Sequence, residues 1–161
     1  MYNIINTDSY TIEEKYEYIR TLIDQQLNEE KNKMANLSNI SAILMAVLED
    51  LNWVGFYIMN DGELVLGPFQ GLPACNRIAV GKGVCGTAVS TKSSQLVPNV
   101  EEFPGHIACD SASKSELVIP IIIDDKVLGV LDLDSPSTNR FTEEDQRELE
   151  EIISMIASFI V

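Results

Sequence analysis

The sequence predicts an α+β domain in which an antiparallel sheet carries its helices on one face. Apolar residues at helical spacing open and close the chain, and runs rich in aromatic and β-branched residues occupy the middle. Short turns join these runs into two successive pairs, as in β-hairpins. At 161 residues we expect one domain over residues 1–161, with residues 1–10 as a polar N-terminal arm.

Three longer helices are predicted from their caps and apolar faces. Thr11 is the expected N-cap of the first, with Glu14 completing a capping box, and this helix runs to about Asn28. The charged stretch EEKNK is predicted to be a solvated connection, so that the second helix begins near Ser38. Thr142 caps the last helix, whose acidic first turn suits the positive end of the helix dipole.

Two hairpins are predicted. The first joins strands at 53–59 and 63–69 through the turn Asn-Asp-Gly, and the second joins strands at 116–123 and 127–132 through Asp-Asp-Lys.

Shorter elements lie between the hairpins. We predict strands at 77–80 and 95–97 and a short helix at 84–90, which follows a Gly-Lys-Gly turn. Residues 101–114 are rich in Pro, Gly, Ser and Asp, and form a loop that is too long to serve only as a connector.

The net charge of −14 at pH 7 excludes several classes of function. Phosphate binding depends on clusters of Lys and Arg, so neither nucleic acid nor an anionic membrane surface is an expected partner. The longest apolar run, 117–123, is too short to span a membrane, and the first ten residues show neither the basic start nor the apolar region of a signal peptide, so we expect a cytoplasmic protein. Most acidic residues are expected to serve solubility, while a minority are candidates for binding a cation or an ammonium group.

The three cysteines, Cys75, Cys85 and Cys109, share one segment with the only histidine, His106. An odd number of cysteines in a cytoplasmic chain is not a structural disulfide framework. They are either small buried hydrophobic residues or groups with redox or nucleophilic chemistry. No CxxC pair occurs, which argues against zinc, and we expect no metal.

Local context favours Cys85 as the reactive thiol. It follows Lys82 and Gly83 at the predicted start of a helix, where backbone N–H groups and the helix dipole stabilise a thiolate. We therefore expect its pKa to lie below the usual value for a thiol. Cys109 lies on a loop beside Asp110, and a loop cysteine can move toward a second thiol.

Three acidic residues are predicted to meet on one face of the sheet. Asp132 and Asp134 are two apart at the end of a strand, and pairing through the tight turn brings Glu116 near them. Three adjacent carboxylates repel one another, so that one holds a proton or all require a cation. The alternatives are an exposed strand end, a pocket for an ammonium group, and a shared proton for acid catalysis.

Trp53 and Tyr57 are four apart on a predicted strand and therefore share a face. One interpretation is core packing. The other is an aromatic wall that suits a methyl or thioether group through sulfur–aromatic contact.

These residues stand in motifs that resemble the GAF-domain family over the whole chain and, more narrowly, the free methionine-(R)-sulfoxide reductases of that family. The motifs are WVGFY, GPFQGLPAC, GKGVCG, FPGHIACDSASKSELVIPI, LGVLDLDSP and RFTEEDQ. The resemblance implies a GAF-like fold, with the N-terminal and C-terminal helices on one face of a central antiparallel sheet and the active-site loops on the other. It also implies reduction of the oxidised free amino acid.

The resemblance implies a role for each cysteine. Cys109 attacks the sulfoxide sulfur and becomes a sulfenic acid as methionine leaves. Cys75 condenses with Cys109 into a disulfide, which thioredoxin, or dithiothreitol in vitro, then reduces. Cys85 has an assisting or alternative role, which conflicts with its favourable local context. No bound cofactor is implied.

The resemblance likewise assigns the substrate contacts. Glu116, Asp132 and Asp134 hold the substrate amine and help to protonate the sulfoxide oxygen, while Trp53 and Tyr57 surround the methyl sulfoxide. An acidic cluster left without its cation is costly, so the cluster would select the free amino acid over a peptide. The preference for the R epimer and a homodimer also follow from the resemblance alone. Two alternatives remain: a GAF sensor that binds a small ligand, and a redox switch without a substrate.

Overall fold

The computed structural model describes residues 3–107 and 109–160. Outside these ranges lie Met1 and Tyr2 of the predicted N-terminal arm, Ala108 of the predicted loop, and Val161 at the end of the predicted domain. Helices and strands follow one another in an α+β order, as predicted. They are α1 (Ile12–Glu29), α2 (Lys33–Val47), β1 (Trp53–Asn60), β2 (Glu63–Gly71), β3 (Arg77–Ala79), α3 (Gly83–Thr91), β4 (Gln95–Val97), β5 (Ser115–Ile123), β6 (Lys126–Ser135) and α4 (Glu143–Ile156).

The six strands form one antiparallel sheet in the order β3-β2-β1-β6-β5-β4. Both predicted hairpins are present. Their two-residue turns have positive φ at each residue, 50° and 87° at Asp61 and Gly62, and 49° and 63° at Asp124 and Asp125. This is the backbone that matches the twist of a hairpin, and Asn, Asp and Gly adopt it most readily. Lys126, predicted to lie in the second turn, is the first residue of β6.

The predicted start of the second helix is wrong. The helix begins at Lys33 because the side chain of Asn32 accepts a hydrogen bond from the N–H of Ala35 and caps it. The added turn buries Asn36, whose Oδ1 accepts a 3.0 Å hydrogen bond from Nε2 of Gln26 on α1. A charged stretch with a buried amide inside it has no apolar periodicity, so the pattern of the sequence did not reveal this turn.

The helices α1, α2 and α4 gather on one face of the sheet, where the larger core lies. Alternation along β1 points Val54 and Phe56 into that core. A 2.7 Å hydrogen bond from the hydroxyl of Tyr16 to Asp145 ties α1 to α4. The opposite face carries α3 and a smaller core. In the described part of the chain, no helix has both the length and the apolar character that a membrane span requires.

Candidate active site

Three adjacent strands form the floor of the site on the face opposite the helix layer. In the register, Asp134 lies beside Trp53 of β1 and beside Glu116 of β5, while Asp132 lies beside Gly55. Directly paired residues of antiparallel strands point to the same face. The three carboxylates therefore meet as the sequence predicts, and the aromatic residues of β1 lie next to them.

A cavity of about 30 Å³ lies over this floor. That volume holds about two water molecules. Its polar lining comes from the sheet, from α3 and from the loop before β5, and includes Cys85, His106, Cys109, Ser113, Glu116, Asp132 and Asp134. Among the residues that the structure describes, Trp53, Tyr57 and Cys75 do not line the cavity.

The carboxylates of the cavity resist ionisation. Burial raises the pKa of Glu116 well above its ordinary value, and the charge of Asp134 adds to the effect. Burial and the charge of Glu116 raise the pKa of Asp132 in the same way, and burial with Asp132 raises that of Asp134. The Oδ1 atom of Asp132 is buried without a hydrogen-bond partner among the described residues. The cluster is thus suited to hold a proton or to receive a cation.

His106 reaches the same cluster. Its Nε2 lies 3.5 Å from Oε2 of Glu116. Burial lowers the pKa of the imidazole, which favours its neutral form at neutral pH. The sequence shows His106 only as a neighbour of Cys109; its contact with a strand ten residues further on depends on how the loop folds back.

Cys75 and Cys109 form a disulfide with a Cα–Cα distance of 5.3 Å. Cys75 lies on the loop between β2 and β3, and Cys109 lies on the loop before β5. This is the pairing that the resemblance implies. Since Cys109 lines the cavity and Cys75 does not, Cys109 is the member of the pair that faces the carboxylates.

Trp53 and Tyr57 hold the loop that carries Cys75. The hydroxyl of Tyr57 donates a 2.9 Å hydrogen bond to the carbonyl oxygen of Cys75. The Nε1–H of Trp53 donates a 3.2 Å hydrogen bond to the carbonyl oxygen of Leu72. Both rings are buried. In the disulfide form, both side chains therefore hold the loop that carries Cys75 in place.

The aromatic stack depends on a glycine. The Trp53 ring stacks nearly parallel to the rings of Tyr57 and Phe69. The centroid-to-centroid distance is 5.9 Å to Tyr57 and 5.2 Å to Phe69. A Cβ on Gly55 would come within 2.3 Å of the Cβ of Phe69 and 2.8 Å of the Trp53 ring. Only glycine leaves room for these rings on this face of β1.

The prediction that Cys85 has a lowered pKa is wrong. Cys85 is the third residue of α3, near a helix N-terminus as predicted, but it is only 3% exposed. Its Sγ lies 4.0 Å from Oε1 of Glu116. Burial, followed by the negative charges of Asp132 and Glu116, raises its pKa well above the ordinary value. Burial of the thiol, together with the neighbouring carboxylates, therefore outweighs the effect of the helix dipole on its pKa.

Asn52 is a residue of the site that the sequence did not reveal. Its Nδ2 donates hydrogen bonds of 3.0 Å to Oδ2 of Asp110 and 3.1 Å to Oγ of Ser113. Its backbone N–H donates to the carbonyl oxygen of Asp134 at 3.0 Å. Asn52 thereby fastens the loop that carries Cys109 to the end of β6. All three contacts are distant in sequence, and no local pattern marks them.

We expect Asn52→Ala to slow the formation of the Cys75–Cys109 disulfide in reduced protein by about tenfold. Two hydrogen bonds to the Cys109 loop are lost, each worth about 1 kcal/mol, and a tenfold change corresponds to about 1.4 kcal/mol. The rate is measured by counting free thiols after a pulse of oxidant. Asn60→Ala, exposed at the other end of β1, is the matched control; equal rates in both variants would contradict the assignment.

Comparison with known proteins defines the class. A sequence model of the family described as GAF domain matches residues 35–161. The chain is 50% identical over 139 residues to Protein YtsP of Bacillus subtilis, with 85% of each sequence covered. It is also 50% identical over 127 residues to the free methionine-R-sulfoxide reductase of Escherichia coli, covering 79% of this chain and 77% of that protein. The chain belongs to the GAF-domain family.

Solved structures agree with this assignment. The reduced form of fRMsr of Staphylococcus aureus has a TM-score of 0.87 and 46% identity, with all of both chains covered. The free methionine-R-sulfoxide reductase of Neisseria meningitidis, solved in complex with its substrate, has a TM-score of 0.85 and 35% identity, covering 99% of this chain and 93% of that one. Both resemblances in the sequence analysis, to the GAF family and to its free methionine-R-sulfoxide reductases, are confirmed.

Proposed function

We propose that this protein reduces free L-methionine-(R)-sulfoxide to methionine. The observation that carries the proposal is that Cys109, disulfide-bonded to Cys75, lines the same cavity as Glu116, Asp132 and Asp134. A redox-active thiol thus faces a cluster that attracts an ammonium group. The E. coli and N. meningitidis relatives carry the name of this activity, which supports the same reaction here.

The acidic cluster is proposed to select the free amino acid. Glu116 and Asp132 are each only 6% exposed, and Asp132 has an oxygen without a hydrogen-bond partner in the described chain. The ammonium group of a free amino acid supplies both charge and donors to such a cluster. An amide of a peptide supplies a single neutral N–H, so the cost of the buried acids would remain.

The proposed reaction begins at Cys109. Its sulfur attacks the sulfoxide sulfur and forms an S–S bond, a carboxyl group of the cluster gives its proton to the sulfoxide oxygen, and the thiol proton of Cys109 passes to the resulting carboxylate. The oxygen then passes to Cys109 as the bonds of the sulfoxide sulfur to oxygen and to Cys109 break, so that Cys109 becomes a sulfenic acid and methionine leaves as the thioether. The Cys75 thiol then attacks the sulfenic sulfur, releasing water and forming the disulfide. One sulfoxide is reduced and two thiols are oxidised.

A dithiol must then reduce the disulfide. We propose thioredoxin in the cell, with dithiothreitol as its substitute in vitro, and no bound cofactor, because the electrons come from thiols. A cytoplasmic location would supply this reductant. The buried Cys85 is proposed to assist rather than to attack. Pairing of two copies as a homodimer stays a prediction.

Substrate is proposed to bind the dithiol form of the enzyme. The cavity beside the disulfide measures about 30 Å³, and an amino acid needs several times the space of the two waters that this volume holds. Breaking the bond between Cys75 and Cys109 frees both loops to separate. The aromatic rings of Trp53 and Tyr57, which lie below the Cys75 loop, would then come into contact with the methyl sulfoxide.

The proposal is tested by incubating the protein with dithiothreitol and three substrates: free methionine-(R)-sulfoxide, its S epimer, and N-acetyl-methionine-(R)-sulfoxide. We expect turnover of the free R epimer only, with the acetylated compound reduced at least about 100-fold less efficiently, since loss of a charged partner costs about 3 kcal/mol. Binding of a sulfoxide without turnover would favour the sensor. Thiol oxidation without either would favour the redox switch.

A further inference from the structure

A divalent metal ion fits the ligand atoms at the base of the cavity. The thiol sulfur of Cys85 and one carboxylate oxygen each from Glu116 and Asp132 lie within 4.8 Å of one another. Bond lengths of about 2.0–2.3 Å place the ligands of tetrahedral Zn²⁺ roughly 3.5 Å apart. Side-chain shifts of about 1 Å would close the set around an ion. We propose that Cys85, Glu116 and Asp132 bind Zn²⁺ or a similar transition-metal ion.

A second observation points to a ligand at this place. The Oδ1 atom of Asp132 lacks a hydrogen-bond partner among the described residues, although the residue is only 6% exposed and lines the cavity. A buried acceptor left unpaired costs about 1–3 kcal/mol. Coordination of a cation would satisfy that oxygen and neutralise the repulsion between the two carboxylates.

The donor set determines which metal suits the site. One thiolate with two carboxylates is a combination that Zn²⁺ and Co²⁺ accept, whereas Mg²⁺ and Ca²⁺ are bound by oxygen ligands. The cavity of about 30 Å³ leaves room for a water molecule as fourth ligand. His106, with Nε2 at 3.5 Å from Oε2 of Glu116, is placed to orient that carboxylate from outside the ligand set.

This site differs from a structural zinc site built on CxxC pairs, which the spacing of the cysteines argues against. A structural zinc site takes paired cysteines from one short motif, whereas these three ligands come from α3, β5 and β6. Cys75 and Cys109 are joined in the disulfide and are therefore not available as ligands. On binding, the Cys85 S–H bond breaks, the sulfur bonds to the metal, and this proton passes to solvent together with any proton that Glu116 or Asp132 holds.

Co²⁺ is a suitable probe because bonding to a thiolate produces a charge-transfer absorption in the near ultraviolet. The experiment uses the disulfide form of the protein, in which Cys85 is the one free cysteine among the described residues. We expect about one equivalent of Co²⁺ to bind with that absorption, and Zn²⁺ to displace it. Absence of binding at millimolar Co²⁺, or binding without the band, would overturn the proposal.

Two variants test the proposed ligands, and a third is the control. Cys85→Ser is expected to abolish the absorption, and Asp132→Asn to weaken Co²⁺ binding at least about tenfold. Asp125→Asn, which alters an exposed acid in the β5–β6 turn, is the control and should leave both unchanged. Thermal unfolding of each variant shows that it is folded. A band that survives Cys85→Ser in folded protein would place the metal elsewhere.

The same ion would compete with the ammonium group of the substrate, a consequence that rests on the proposed function. The two proposals can fail separately, because Co²⁺ binding is measured without substrate. A protein that binds Co²⁺ through Cys85 but reduces no sulfoxide loses only the enzymatic proposal, and an active protein without the absorption loses only the metal site.

Discussion

Cys109→Ser is expected to lower the turnover of free methionine-(R)-sulfoxide by a factor on the order of 10³ or more, as removal of a catalytic nucleophile does. Cys109 lines the cavity beside the carboxylates and is bonded to Cys75, so its sulfur is placed to receive the oxygen. A serine hydroxyl is a weak nucleophile and forms no disulfide. The measurement is methionine release with dithiothreitol as reductant.

The other two cysteines serve as matched controls. Cys75→Ser should still complete one turnover and then hold a sulfenic acid on Cys109, which dimedone traps and mass spectrometry locates. Cys85→Ser should keep most of the activity, because the buried thiol has a raised pKa and is a poor nucleophile. Activity that survives in Cys109→Ser and disappears in Cys85→Ser would instead make Cys85 the nucleophile.

Glu116→Gln is expected to lower kcat/KM for free methionine-(R)-sulfoxide at least about 100-fold, because a buried charged partner of the ammonium group is worth about 3 kcal/mol. The same substitution should stabilise the fold. Glu116 is buried beside Asp134 and Asp132, and a neutral amide removes one member of a repelling set.

The gain in stability should depend on pH. In the folded protein the pKa of Glu116 is raised above the value of about 4.3 that it has in the unfolded chain. The folded state therefore binds more protons, and the wild-type protein loses stability as pH rises from about 4 through the folded-state pKa. We expect Glu116→Gln to change the free energy of unfolding little at pH 4 and to raise it at pH 8.

Urea denaturation of both proteins at the two pH values, with a chelator present, provides the measurement. Glu101→Gln, which alters an exposed acid in the short 3-10 helix between β4 and β5, is the control and should change neither activity nor stability. Asp134→Asn should repeat the loss of activity. If Glu116→Gln retained full catalytic efficiency, the assignment of the acidic cluster to the substrate amine would be wrong.

The sequence predicted the parts of this structure that depend on neighbouring residues. The capping box of Thr11 and Glu14 and the two hairpin turns are local signals, and each is present. The meeting of Asp132 with Asp134 follows from the two-residue period of a strand. Glu116 joins them because β5 and β6 are adjacent strands of one hairpin, although the structure reaches this pairing through a bulge between Ile121 and Ile122, which shifts the register that the two-residue turn begins by one residue.

The sequence could not predict features that arise when distant segments meet. Cys85 has the local context of a thiolate, yet packing against β5 and β6 buries it beside carboxylates and reverses the expected shift of its pKa. The hydrogen bonds of Asn52 to Asp110 and Ser113 span 58 and 61 residues. No periodicity or motif encodes such contacts, because they depend on the path of the loop that carries Cys109.

A single turnover by reduced protein shows whether the release of methionine is coupled to oxidation of Cys75 and Cys109. Protein reduced with dithiothreitol and then freed of it is mixed with excess methionine-(R)-sulfoxide, and methionine and disulfides are both quantified. We expect about one methionine per chain and, in the same samples, conversion of Cys75 and Cys109 to their disulfide. No methionine from folded, fully reduced protein, or methionine released while Cys75 and Cys109 remain thiols, would contradict the account.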